Sequence, residues 1–207
     1  MGFYEERVLP RIIDRACSAG QVMKLRHRVV PRAEGVVLEV GMGSGLNLEL
    51  YDPGKVSLVY GLEPSEGMRR EAAPKLAASK VPVEWLGLRG EEIPLPTESV
   101  DTVLLTFTLC TIPDFRAALG QMWRVLRPEG ALLFVEHGSA PDERVRTWQR
   151  RLNPGWKKIA GGCNLDRPIP RLLETAGFSI DELESFYVPK VMKIAGYVYV
   201  GRASKRP

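Results

Sequence analysis

A chain of 207 residues, 44% hydrophobic and 26% charged, has room for one well-cored domain but is cramped for two. Its formal charge of +4 suits an anionic ligand or surface without indicating nucleic acid, and none is expected as a partner. Three cysteines, Cys17, Cys110 and Cys163, with no CxxC pair argue against a disulfide framework and against a zinc site, so no metal is expected and a reducing cytoplasm is the expected home.

No apolar segment approaches the roughly 20 residues that span a bilayer. The opening MGFYEERVLP lacks the cationic-then-apolar order of a secretory signal. Residues 3–30 read as helical. Val8, Leu9, Ile12, Ile13 and Ala16 recur at helix spacing, and residues 21–30 form a basic second piece with Lys24, Arg26, His27 and Arg28. This start is expected to fold over the active site as a lid. The alternative rests Phe3, Tyr4 and the aliphatic stripe on anionic lipid as a peripheral contact.

From Gly35 the pattern changes. VVLEV, VSLVYGLEP, VPVEWLGL, VDTVLLTFTL and ALLFVEHG read as buried strands, with helices between them over 65–79, 115–126 and 168–176. The closing runs FSIDELESFYVP and IAGYVYVGRA leave no room for a helix between them and should pair antiparallel. This alternation predicts an α/β fold: a seven-stranded, mostly parallel sheet with an antiparallel last strand and helices on both faces. Residues 140–166 stand apart. They are basic, carry Trp148 and Trp156, and end in GGCNLDRP, as an insertion covering a ligand would. The two tryptophans are expected in the core or the pocket.

The stretch VLEVGMGSG carries Gly41, Gly43 and Gly45 two residues after Glu39. A dinucleotide turn requires a third glycine where Leu46 stands, and the GxxxxGK of a phosphate loop is absent. Glu39 would repel a pyrophosphate but suit a cation. Glu63, 18 residues after Gly45, stands where an acid grips a ribose diol. A nucleoside with a cationic tail and no phosphate fits, and S-adenosyl-L-methionine is such a molecule.

With VLEVGMGSG, GLEPSEGM, LRGEEIPLPTESVDTVLLTFTLC and MWRVLRPEGALLFVEH in this order, the chain resembles a class I S-adenosylmethionine-dependent methyltransferase over about half its length. The resemblance implies the Rossmann-like fold of that class. It implies cofactor contacts from Glu39, Gly41, Gly43, Ser44, Gly45, Glu63, Pro64, Thr106 and Leu109. Met68 either packs on adenine or belongs to its helix's core face, and Glu91 either caps a turn or touches the ligand. The family's aspartate is replaced by Arg89, leaving adenine the backbone of Arg89 and Gly90. TLC, EHG and GGCNLDR are similar to the thiol S-methyltransferase branch, and GMGSGLNLELYDP to bacterial phosphatidylethanolamine N-methyltransferases.

A thiol acceptor must lose its proton, since the thiolate is the nucleophile. His137, at the expected end of the fifth strand, is either the base or a strand-end scaffold. Cys110, Glu136, Cys163 and Asn164 are the candidate acceptor contacts, with Asn164 equally suited to holding a loop turn. The expected layout is one domain: a helical lid over 1–34, a cofactor core over 35–137, an acceptor cover over 138–167, and a helix and hairpin over 168–207. The expected activity is methylation of a small lipophilic thiol. Phosphatidylethanolamine N-methylation and cofactor binding without chemistry are the alternatives. Nothing in the sequence fixes the oligomeric state.

Overall fold

The computed structural model describes residues 9–86 and 90–206. Phe3, Tyr4, Val8 and Arg89 lie outside the described residues, as do the side chains of Leu9, Ile12 and Ala16. In chain order the strands are β1 (Gly35–Val40), β2 (Val56–Leu62), β3 (Val83–Trp85), β4 (Val100–Thr106), β5 (Leu126–His137), β6 (Phe178–Tyr187) and β7 (Tyr197–Lys205). The helices are α1 (Leu9–Cys17), α2 (Gly20–Val29), α3 (Glu66–Ala77), α4 (Phe115–Val125), α5 (Glu143–Ile159), α6 (Ile169–Thr175) and the single turn α7 (Lys193–Gly196).

The strands form one sheet in the order β3-β2-β1-β4-β5-β7-β6. β1 to β5 run parallel, and β7 is antiparallel to both β5 and β6. The expected terminal hairpin forms, but α7 does fit between its arms. Residues alternate faces along a strand, so one sheet splits into two cores. Leu38, Val40, Val103, Leu105 and Phe134 pack with Ala118, Leu119 and Met122 of α4. Val37, Leu104, Leu133 and Val135 pack with Leu25 and Val29 of α2. Burying a side chain the size of Phe134, fully enclosed here, contributes about 1.5–3 kcal/mol.

The helices start where the sequence supplies caps: Ser65 Oγ accepts from the Met68 N–H, and Asp114 Oδ1 from the Ala117 N–H. The sequence showed no helix over 143–159, because Pro154 and Gly155 interrupt its period. α5 nevertheless runs through them. It is held by two buried amides rather than an apolar stripe. Gln149 donates to the carbonyls of Gly138 and Ile194, and Asn153 Oδ1 accepts from the Leu165 N–H. Trp148 is 53% exposed, not in the core or pocket.

β1 has β2 on one side and β4 on the other, so the chain's direction across the sheet reverses there. The crossover helices leave on opposite sides and open a crevice at the strands' carboxyl ends.

Candidate active site

That crevice holds a cavity of about 420 Å³. Its floor is Gly41, Met42, Gly43 and Ser44 after β1, and its sides are Glu63 to Ser65 after β2 and Thr106 to Thr108 at the end of β4. Gly41 and Gly43 have φ of 71° and 59°, which glycine adopts without penalty. A Cβ on Gly41 would fall 2.3 Å from Thr108 Cγ2, so the turn and the loop after β4 touch without a side chain between them.

Glu63 is buried at the cavity edge. Its Oε2 accepts from the Gly43 N–H at 3.0 Å and its Oε1 from the Ser65 N–H at 2.8 Å. Burial lifts its pKa, and the two N–H donors oppose that. Each carboxylate oxygen retains a second lone-pair site for a ligand hydroxyl.

Glu39 lies behind the cavity wall and does not line it. Its oxygens accept from Asn47 Nδ2 and Tyr51 Oη, both at 2.7 Å. Burial pushes its pKa up to about 7, against those hydrogen bonds and the Arg26 charge. Arg26 is 6% exposed, unlike its exposed neighbours His27 and Arg28. It lines the cavity, donates from Nη1 to Asn47 Oδ1 at 2.8 Å and Thr106 Oγ1 at 2.7 Å, and leaves Nε buried without a partner. Arg26 was legible only as one more basic residue of its helix. Its register with Leu25 and Val29 was the available signal.

α1 roofs the crevice with Pro10, Ile13 and Cys17. Ser44 Oγ donates to Asp14, and Lys75 and Arg11 pair with Asp14 at 3.5 Å and Glu71 at 3.4 Å. Cys17 thus faces the cavity.

Pro64, Met68, Gly90, Glu91 and Thr106 also line the cavity, whereas Gly45 and Leu109 do not. Leu109 is fully enclosed in the core. Its loop starts at Phe107, whose φ of 58° is uncommon for a non-glycine residue. Three side chains pin this loop. Glu136 Oε1 accepts from the N–H of Thr108 at 2.7 Å and Leu109 at 2.9 Å. Asn164 Nδ2 donates to the Cys110 carbonyl at 2.7 Å, and buried Arg167 donates to the carbonyls of Leu109 and Ile112. Glu136 and Asn164 therefore brace the wall instead of lining it. Arg167, unmarked in the sequence, does the same and lies over the Phe115 ring.

His137 ends β5, and its Nε2 is 3.1 Å from Cys163 Sγ. Cys110 joins them, and the two sulfurs and an imidazole nitrogen all lie within 4.8 Å of one another. Contact with Cys110, then with His137, holds the Cys163 thiol far below its ordinary range. The same contact and burial push Cys110 up. Burial opposes a proton on His137, but the Cys163 contact outweighs it and raises the pKa. None of the three lines the cavity. Near neighbours of the two cysteines do: Thr111, next to Cys110, and Gly161, two residues before Cys163, are on its wall.

A methyltransferase domain family matches residues 38–134. Thiol S-methyltransferase TMT1B of Rattus norvegicus is 36% identical over 156 residues, 73% of this chain and 63% of that protein. The Homo sapiens TMT1B is 33% identical over 173 residues, 82% of this chain and 70% of that protein. The chain thus spans about two thirds of the length of these relatives. A phosphatidylethanolamine N-methyltransferase of Cereibacter sphaeroides is 35% identical over 105 residues, 50% of this chain and 51% of that protein. Among solved structures, the Burkholderia thailandensis 1,6-didemethyltoxoflavin-N1-methyltransferase with bound S-adenosylhomocysteine matches at a TM-score of 0.67 and 17% identity, over 96% of this chain and 84% of that one.

Proposed function

Since the chain belongs to the S-adenosylmethionine-dependent methyltransferase family, we propose that it methylates the sulfur of a small lipophilic thiol, with His137 as the base. The reading is carried by the grouping of His137 with two cysteines whose chain neighbours Thr111 and Gly161 line the cavity. Similarity to thiol S-methyltransferases over most of the chain supports it.

The cavity residues fit the cofactor. Glu63 offers two lone pairs to a ribose diol, Met68 and Gly90 line the same cavity, and the Arg26 guanidinium on its wall suits a carboxylate. Glu39 acts from behind, aligning Asn47 and through it Arg26 and Thr106. The cofactor supplies a methyl group on a sulfonium carbon. The chain's own contribution is to hold acceptor and cofactor in line, an effect worth up to about 7–11 kcal/mol. Ile13, Cys17 and Pro10 of the lid exclude water from the crevice.

A methyl-transfer assay across thiols, phenols, amines and phosphatidylethanolamine tests the acceptor. Turnover confined to thiols is expected, and turnover confined to another class defeats the reading. His137→Ala should lower turnover of a weakly acidic thiol by roughly 10²-fold with cofactor affinity retained. Unchanged turnover would reduce His137 to scaffolding.

Phosphatidylethanolamine N-methylation at a membrane surface is the second reading. Trp148, Leu152 and Ile159 are 53%, 42% and 64% exposed on one stripe of α5, and Arg151 lies over the Trp148 ring. Among the described residues no helix is long and apolar enough to cross a membrane. Turnover dependent on liposomes would favour this second reading.

A further inference from the structure

We propose that Cys110, His137 and Cys163 form a site for a thiophilic divalent cation, zinc, with one coordination position left for an acceptor sulfur that enters past the cavity wall at Thr111 and Gly161. Occupancy of the site is independent of the thiol reading above; only its use rests on that reading.

The donor set selects the ion. Two thiolates and an imidazole, with no oxygen donor among them, suit zinc and not magnesium or calcium. Three protein ligands with an open fourth position is the arrangement of catalytic zinc, and Cys2His is one of its known sets. With Zn–S near ~2.3 Å and Zn–N near ~2.0 Å, a tetrahedral centre spaces sulfur from nitrogen by about 3.5 Å and sulfur from sulfur by about 3.8 Å. The three donor atoms already lie within 4.8 Å of each other, with His137 Nε2 at 3.1 Å from Cys163. Small side-chain rotations would open the space.

The surroundings are built for charge. Glu136 Oε2 and His137 Nδ1 are buried without hydrogen-bond partners, and the Trp156 side chain faces Cys163 as a donor that stabilises its thiolate. Orphans of this kind are costly, which makes two in one neighbourhood unusual for a filled core. Coordination through Nε2 would fix the imidazole proton on Nδ1, and a dication would offset the two thiolates and the nearby buried carboxylate.

The backbone holds the ligands in place independently of any ion. The Asn164 N–H and side-chain amide both donate to the Cys110 carbonyl, at 2.9 and 2.7 Å, locking the two cysteine loops together. His137 is registered against Val198 in the sheet. The ligands come from three separate segments, so their spacing resembles no zinc motif, and the sequence argument against a metal does not reach them.

The use follows from the open position. An acceptor thiol binding there forms a sulfur–zinc bond, its S–H bond breaks, and the proton leaves to water. The sulfur lone pair then forms the new S–CH3 bond while the cofactor's S–CH3 bond breaks, its electron pair staying on the cofactor sulfur. With the cation bound, Nε2 is committed and the cation activates the thiol; without it, His137 takes the proton.

The test is elemental analysis of full-length protein purified anaerobically in reductant, dialysed and reloaded with zinc. About one zinc per chain is expected, lost in Cys163→Ser and in His137→Ala. Cobalt(II) titration of the wild type should give thiolate-to-cobalt charge transfer and tetrahedral absorption, a readout independent of the variants' folding. Absence of both bound zinc and cobalt absorption, or zinc content unchanged in Cys163→Ser, overturns the site. Chelation should lower kcat/KM at least about tenfold for alkyl thiols and less for acidic aryl thiols, which ionise unaided. Full thiol turnover without bound metal removes the cation's role and leaves the thiol reading standing. Bound zinc without thiol turnover does the reverse.

Discussion

Replacing Glu63 with glutamine keeps its volume and removes one acceptor. In the native site one carboxylate oxygen receives the Gly43 N–H at 3.0 Å and the other the Ser65 N–H at 2.8 Å. A glutamine amide has one oxygen and one NH2 group, so one of those two backbone donors would face a donor. The lost charge-assisted hydrogen bond and the stranded N–H together cost about 1.5–3 kcal/mol. Part of that falls on the glycine turn, and the remainder on the cofactor diol, which also loses an acceptor. The expected outcome is roughly 10- to 100-fold weaker cofactor binding at 25 °C, about 1.4 kcal/mol for each factor of ten. Titration calorimetry with S-adenosylmethionine and with S-adenosylhomocysteine measures this, with urea melts of the same preparations correcting for stability. Equal affinity in Glu63→Gln and wild type would show that this carboxylate does not hold the diol.

Glu39 predicts a pH dependence of stability. Burial raises its pKa from 4.5 to about 7, so between those values the folded chain keeps a proton that the unfolded chain releases. Stability should therefore fall as pH rises from about 4.5 to about 7, by a total near 3 kcal/mol, and then level off. Urea unfolding across that range should show this part of the slope vanish in Glu39→Gln, and a variant with an identical slope contradicts the assignment. Gly41→Ala, at φ of 71° with its Cβ against Thr108, should destabilise by about 2 kcal/mol or more and loosen cofactor binding. Gly120→Ala, in α4 with open space around its Cβ, should instead stabilise by about 0.5–1 kcal/mol. Thermal melts that rank these two glycine variants in the opposite order would show that backbone conformation does not govern them.

Local chemistry was enough to set out the frame. Alternating apolar runs and helical segments dictate a parallel sheet covered on both faces, because each element must bury its own apolar side and short connections leave few ways to do so. The glycine turn and Glu63 were readable for the same reason: backbone freedom and a strand-end acid are local properties, and their spacing survives folding unchanged. Residues whose partners lie far along the chain were not readable. Arg26 reads as a surface base until α2 turns it inward onto Thr106, 80 residues away. Glu39 reads as a ligand for a positive charge, yet Asn47 and Tyr51 fold over it first. Glu136 and Asn164 read as acceptor contacts, and the sequence did not show that they pair the backbone of the loop after β4, whose groups must be satisfied once buried. Cys110, His137 and Cys163 stand 27 and 26 residues apart, and only the parallel crossovers carry them to one point. Sequence spacing records what a single turn of chain can reach, whereas the sheet's strand order decides which distant side chains share one space.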